Sequence, residues 1–169
     1  FADPRPDGCR CLLPDRGLVY TGSGPEASRL AFDKLASKAL FVKAGVEVPA
    51  VIAYHPRTGD DEIGERLKEL ELGDRFVVKP VRQGSSVGVH VVKGHRDAAT
   101  AARKVHEEFG DCMIEAFVKG REITVEVLGR QTLPIIEIRT KTGFYDYHAK
   151  YVAEDTQYLC PGLTGAAEQ

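Results

Sequence analysis

The 169-residue sequence contains no asparagine. It therefore has no acceptor for N-glycosylation and no Asn to serve as a metal ligand or oxyanion donor. It also lacks a large net charge of either sign. Lys and Arg number 23 against 25 Asp and Glu, a formal charge of -2, so no overall field draws in nucleic acid or an acidic membrane surface, and anion binding has to be local. Apolar runs such as Ala39–Val42 fall far short of the roughly 20 residues that span a bilayer, so a membrane protein is not expected. Cysteine is sparse: Cys9 and Cys11 form one C-x-C pair, and Cys112 and Cys160 stand alone. That is too thin for a disulfide framework and lacks the two close pairs of a zinc site, so reduced thiols and a cytoplasmic location are expected. The chain opens on Phe rather than Met, without a basic region followed by an apolar segment; the expectation is an excised or partial chain with no signal or transit peptide.

What is present is a globular composition, 43% hydrophobic and 28% charged, at about the length of one ordinary domain. Residues 2–17 are rich in Pro and Arg without apolar period and read as loop. Ser23 or Pro25 starts a helix with Leu30, Leu35, Leu40, Phe41 and Ala44 at helical spacing, stopped by Gly45. Residues 47–52 look extended. Asp60 or Asp61 caps a second helix with Ile63, Leu67 and Leu70 on one face and Gly73 as terminator. A strand at 75–80, a Gly-Ser loop at 82–88 and a strand at 89–92 precede a third helix at 97–109. Strands at 112–118, 122–128 and 132–138 follow, joined by turns at Lys119-Gly120 and Gly129-Arg130, with antiparallel pairing expected. The last stretch from Gly143 is rich in Tyr, Asp, Cys and Gly and ends in a polar tail, and no internal repeat is visible. The fold class expected is α+β.

Three clusters could carry chemistry. In Gly84-Ser85-Ser86-Val87-Gly88 the glycines let backbone N–H groups turn toward an anion, the hydroxyls add donors, and Lys79 on the preceding strand adds positive charge. It is not a Walker A loop, because no Gly-Lys-Ser/Thr closes it and a strand follows; by itself it is equally an ordinary hairpin loop. Glu115-Ala-Phe-Val118 with Glu122 would let a strand edge read a purine while carboxylates accept from an exocyclic amine or a ribose hydroxyl; alone, both are equally solvated strand-end acids. Phe144-Tyr-Asp-Tyr147-His-Ala-Lys150-Tyr151 interleaves aromatic and ionisable residues, as loops that close over ligands do, or as an aromatic cluster beneath a loop does. Lys34 and Lys38 lie on the first helix, where surface lysines are ordinary.

The ordered succession Tyr20-Thr-Gly-Ser-Gly24, Asp33-Lys34, Val78-Lys79-Pro80, Gly84-Ser-Ser-Val-Gly88, Ile114-Glu115, Glu122-Ile-Thr-Val125, Leu133-Pro134, Phe144-Tyr-Asp-Tyr147, Ala149-Lys150-Tyr151, Thr156-Gln-Tyr158 and Cys160-Pro161 resembles the D-alanine–D-alanine ligase family of the ATP-grasp superfamily. The resemblance runs from about Gly17 to Pro161. It implies residues 1–22 as a remnant of an amino-terminal domain, 23–115 as the central ATP-grasp subdomain, and 116–169 as part of the carboxy-terminal subdomain with a closing loop. It also implies ATP held between the two subdomains, phosphorylation of one D-alanine carboxylate, and attack by the amine of a second D-alanine to give the dipeptide of peptidoglycan precursors.

By the family's motifs, Lys34 and Lys79 are implied to contact ATP phosphates, with Gly84, Ser85, Ser86 and Val87 forming the loop over them and Ser85 also orienting substrate. Glu115 is implied to take the adenine amine, Ala116 and Val118 to read the ring through backbone, Phe117 and Phe144 to wall it, and Glu122 to hold the ribose. Lys150 and Tyr151 are implied to sit on the closing loop, toward the phosphates and Ser85. A Tyr at 151 goes with D-alanine as second substrate, whereas D-lactate-using relatives carry Phe. His148 departs from a frequent Glu, Ala116 from a frequent Lys, and Pro6-Asp7-Gly8 from the amino-terminal pattern. Magnesium is implied with its ligands outside this chain, no metal ligand within it, and homodimerisation for the intact enzyme, with no nucleic-acid or membrane partner. The 169 residues alone are expected to lack turnover. A different-class alternative is a nucleotide-binding module with no ligase role; a nearer one is an ATP-grasp ligase using D-lactate.

Overall fold

A computed structural model describes residues 13–70, 73–141 and 143–163, so the opening loop up to residue 12, with Cys9, Cys11 and Pro6-Asp7-Gly8, and the tail from 164 lie outside the described residues. The chain forms two compact units. The first comprises the described residues up to Gly84 together with Gly88–Phe117, and the second comprises Ser85–Val87 with the described residues from Val118 onward.

In the first unit, helices α1 (Pro25–Phe32) and α2 (Lys34–Lys43) precede strand β1 (Val51–Ala53), helix α3 (Asp60–Glu69), strands β2 (Arg75–Pro80) and β3 (His90–Lys93), helix α4 (His95–Phe109) and strand β4 (Cys112–Ala116). The single first helix expected from the periodicity is two helices. Asp33 at φ -86°, ψ 105° leaves helical geometry, and its carboxylate accepts from the Ala36 N–H at 2.9 Å, capping α2. Neither helix buries a residue among the first unit's described contacts, so Leu30, Leu40 and Phe41 are exposed. Helix α3 starts at a Gly59 cap, one residue before the expected acids, and buries Ile63 and Leu67, whereas Leu70 is exposed.

The sheet order is β1-β4-β2-β3, every pair antiparallel. Strand β2 alternates strictly: Phe76, Val78 and Pro80 are buried toward the core, as the period of two demands. Helix α4 meets that face through Ala98, Ala99, Ala102 and Val105, small residues that let helix and sheet approach closely. The core is completed by Ile52, Ile63, Leu67, Cys112 and Ile114. Burial pushes the Cys112 thiol up to about 12, and its Sγ donates to the Ala102 carbonyl at 3.2 Å. Full burial of Phe76, Val78 and Ile114 contributes roughly 1.5–3 kcal/mol each.

In the second unit, strands β5 (Glu122–Thr124), β8 (Ile136–Arg139) and β9 (Gln157–Leu159) form an antiparallel sheet, β6 (Val127–Leu128) and β7 (Gln131–Thr132) a separate hairpin, and α5 (Tyr147–Tyr151) a short helix. The two continuous strands expected over 122–128 and 132–138 are therefore each broken in two. Pro134, with no N–H to donate, lies in the second break, and Leu133 bonds back to the Glu126 carbonyl at 2.8 Å. Buried Glu137 on β8 takes a two-pronged grip from Arg139, at 3.0 and 3.1 Å, with Arg121 at 3.7 Å. Asp146 caps α5 by accepting from the Ala149 N–H at 2.8 Å, and Thr156 Oγ1 donates to the Ala149 carbonyl at 2.7 Å.

Candidate nucleotide-binding site

Strand register brings the first set of ionisable residues together. Val77 pairs with Glu115 across β2 and β4, so Lys79, two residues along the same face, is the diagonal neighbour of Glu115. That face lies away from the α3–α4 core. Lys79 Nζ donates to Glu115 Oε1, and Lys38 Nζ lies 3.0 Å from Oε2. Oε2 is buried and is held by the Lys38 ammonium as an ion pair. Glu115, on strand β4, whose first four residues are buried, has a side chain only 8% exposed.

Lys34, the first residue of α2, extends Nζ to the carbonyls of Val81 at 3.2 Å and Gln83 at 2.5 Å, just before Gly84. Burial, and then the positive charge of Lys79, hold its ammonium below the usual lysine range, with Glu115 and Asp33 opposing. Two cations close enough to disfavour one another are arranged as a polyanion site requires. Lys38 is a site residue the sequence reading left among ordinary surface lysines; its signal was the spacing of four from Lys34, which puts both on one helix face. Of the other residues expected here, Ala116 and Phe117 are half-buried, and the Arg75 guanidinium sits 4.1 Å above the Phe117 ring. Gly88 closes the loop at φ +68°, where an added Cβ would meet Phe109 at 2.7 Å and Pro80 at 2.8 Å.

In the second unit the chain at Ser85 and Ser86 adopts φ 54° and 61°, a left-handed pair without glycine. Such backbone costs about 1–3 kcal/mol per residue and persists only where neighbours over-determine it. The neighbours are the closing segment. Ser85 Oγ lies 2.7 Å from the Tyr151 hydroxyl, Ser86 Oγ donates to the Tyr145 carbonyl at 3.1 Å, and Lys150 Nζ donates to Ser86 Oγ at 2.8 Å. Glu122 lies near enough to Lys150 to feel its charge. Crowding by the protein raises the Glu122 carboxyl above the ordinary range, and Lys150 and the Tyr145 N–H only partly offset this. Phe144 is half-buried ahead of α5, Val87 is exposed, and Val118 is 66% exposed. Tyr145 and Tyr158, which the sequence reading did not place in the site, bond to each other through their hydroxyls at 2.7 Å.

Two open clefts, of about 470 and 640 Å³, are lined by none of these residues; the first holds His148 beside the Lys141–Asp155 ion pair. Among the described residues no group of three or more His, Cys, Asp or Glu side chains is placed to hold a metal ion. Nor is any helix among them long and apolar enough to cross a membrane.

An antiparallel sheet bearing lysines on one face, a smaller α+β unit, and a Ser-rich loop tied to a Lys-Tyr helix together make up the ATP-grasp fold, which the solved relatives share. D-alanine–D-alanine ligase from Bacillus anthracis superposes with a TM-score of 0.72 at 33% identity, covering 96% of this chain and 52% of that one. A structure of the Bacillus anthracis enzyme complexed with ATP gives 0.71 at 27%, covering 94% and 49%. The chain belongs to the family described as D-ala D-ala ligase C-terminus, matched over residues 40–169. It is 44% identical over 156 residues to D-alanine–D-alanine ligase of Anaeromyxobacter sp. (strain Fw109-5), covering 92% of this chain and 50% of that protein. The chain spans about half the length of the curated relatives it matches.

Proposed function

We propose that this chain is the nucleotide-holding part of an ATP-dependent D-alanine–D-alanine ligase. The observation that carries the reading is the coupling of Ser85 and Ser86 to Tyr151 and Lys150, because a module that only captured nucleotide would have no need of a closing segment bonded to its phosphate loop.

The first unit corresponds to the central subdomain and the second to the start of the carboxy-terminal one. Lys34 and Lys79 in the first and Lys150 in the second supply positive charge to the phosphates; Lys38 supports them through Glu115. Gly84, Ser85, Ser86 and Val87 cover the phosphates. Glu115, its carboxylate held between Lys38 and Lys79, accepts from the adenine amine, while Ala116 and Val118 offer backbone to the ring edge, Phe117 and Phe144 offer apolar surface, and Glu122 accepts from ribose. The γ-phosphoryl group passes to the carboxylate of one D-alanine, forming an acyl phosphate and ADP. The amine of a second D-alanine then attacks the acyl carbon, expelling phosphate and leaving the dipeptide. Positive charge lowers the cost of the first step, and a closed loop protects the acyl phosphate from water.

Tyr151, hydrogen-bonded to Ser85, supports D-alanine over D-lactate as the second substrate. Magnesium would enter with the nucleotide, held by ligands other than the described residues. Peptidoglycan precursor synthesis in the cytoplasm by a homodimeric intact enzyme completes the reading, on the strength of the family resemblance. Ligase turnover belongs to the intact protein and is not expected of these 169 residues. The test is calorimetric titration of the chain and of Lys150→Ala with ATP and AMP. Lys150→Ala is expected to weaken ATP about ten-fold and AMP little; equal ATP affinity in both proteins would overturn the reading.

A further inference from the structure

One residue touches Ser86, Glu122 and Lys150 together, and although it lies within a family motif it has been given no role. The backbone carbonyl of Tyr145 accepts from Ser86 Oγ at 3.1 Å, and its N–H donates to the Glu122 carboxylate. Its ring centroid lies 5.0 Å from Lys150 Nζ, within cation–π range. Lys150 in turn donates to Ser86 Oγ at 2.8 Å, so Tyr145, Ser86 and Lys150 form a closed triangle in which each side fixes the other two. The Tyr145 hydroxyl, at the far end of the ring, meets the Tyr158 hydroxyl on β9 at 2.7 Å, with the rings edge-to-face at 6.4 Å.

We propose that Tyr145 is a positioning residue that sets Lys150 and Ser86 for the phosphates, and that Tyr158 anchors it by holding the ring beneath the ammonium. The proposal rests on the nucleotide reading above. Ser86 sits in left-handed backbone that needs such over-determination, and the triangle provides it. A phenol held only at its Cβ end is free to swing; the hydroxyl pair ties down the other end to a strand of the sheet. In keeping with this, the hydrogen bond to Tyr158, and then burial, push the Tyr145 phenol up to about 12.

The test compares the full 169-residue chain with Tyr158→Phe, Tyr145→Phe and the double variant. Each substitution removes one hydroxyl and leaves the ring, and equal thermal melts confirm an intact fold. Calorimetry should show ATP binding weakened about two- to five-fold in Tyr158→Phe with AMP unchanged, because only the phosphate-side groups lose their anchor. The double variant should be no weaker than either single one, since both delete the same bond. An unchanged ratio of ATP to AMP affinity, or additive losses, would overturn the proposal. Failure of the parent chain to bind either nucleotide would mean that the nucleotide reading is wrong, and the anchor is then decided by phenolate absorbance. The parent should show one late-titrating tyrosine that returns toward the ordinary value of about 10 in Tyr158→Phe; a late-titrating tyrosine that persists among the variant's remaining phenols would overturn the anchor.

Discussion

The Tyr151 hydroxyl lies 2.7 Å from Ser85 Oγ, across 66 residues of sequence. Tyr151 is itself 61% exposed, and its ring packs against that of Tyr147 with centroids 4.9 Å apart. Ser85–Val87 belongs to the second unit although its chain neighbours belong to the first.

Removing that hydroxyl should loosen the loop without unfolding the protein. In Tyr151→Phe, amide exchange at Ser86 and Val87 is expected to accelerate about two- to ten-fold, as loss of one hydrogen bond implies. Exchange in β2 and α4 should stay as it was. Mass-resolved hydrogen exchange checks both, and unaltered exchange at the loop would show that Ser86 contacts alone hold it.

The Asp33 cap gives a stability prediction with a pH sign. Burial is the largest single influence on its carboxyl and raises it, but the Ala36 and Leu35 N–H groups and the Arg82 guanidinium together outweigh burial and hold it below the usual range. A carboxyl lowered on folding stabilises at pH above its unfolded value of about 3.9, and that contribution fades as pH falls through the folded value. Asp33→Ala should therefore cost about 1 kcal/mol at neutral pH. Urea unfolding near pH 2–3 should show a smaller gap between the two proteins; an equal gap at both pH values would contradict this assignment.

Glu115 predicts base selectivity. In the proposed role the Glu115 carboxylate accepts from the adenine amine, and it would face an unfavourable oxygen in guanine at the same position. ATP should bind this chain at least about ten-fold more tightly than GTP, equivalent to roughly 1.4 kcal/mol. Competition titration measures the ratio, and equal affinities would remove Glu115 from the adenine site.

Much of the first unit was legible because its signals are local. The alternation in 75–80, the glycines of 84–88 and the Ala-rich helix before Cys112 each state their own structure, and β2 and α4 form where expected, α4 starting two residues early at the Gly94 cap. The break at Asp33 was hidden because apolar residues continue at helical spacing on both sides, so period outweighed the capping signal of an Asp three residues before Ala36. Leu70 ends up exposed because the helix stops before completing the turn that would carry it to the core. In the second unit, strand breaks depend on a bond between Leu133 and Glu126 that no window of sequence displays. The site was legible as residue types in order; the Lys38–Glu115 pair and the Tyr145–Tyr158 contact were not, since both arise only when distant segments meet.

The most direct test of the whole account is calorimetric titration of the 169-residue chain with ATP, run beside Lys79→Ala with circular dichroism on both. The account predicts saturable binding by the parent and a loss of about ten-fold or more in Lys79→Ala at unchanged helix content, because the lysine lost is the diagonal partner of Glu115 and is proposed to meet the phosphates. A folded parent chain that takes up no ATP, or a folded Lys79→Ala that binds it equally well, would contradict it.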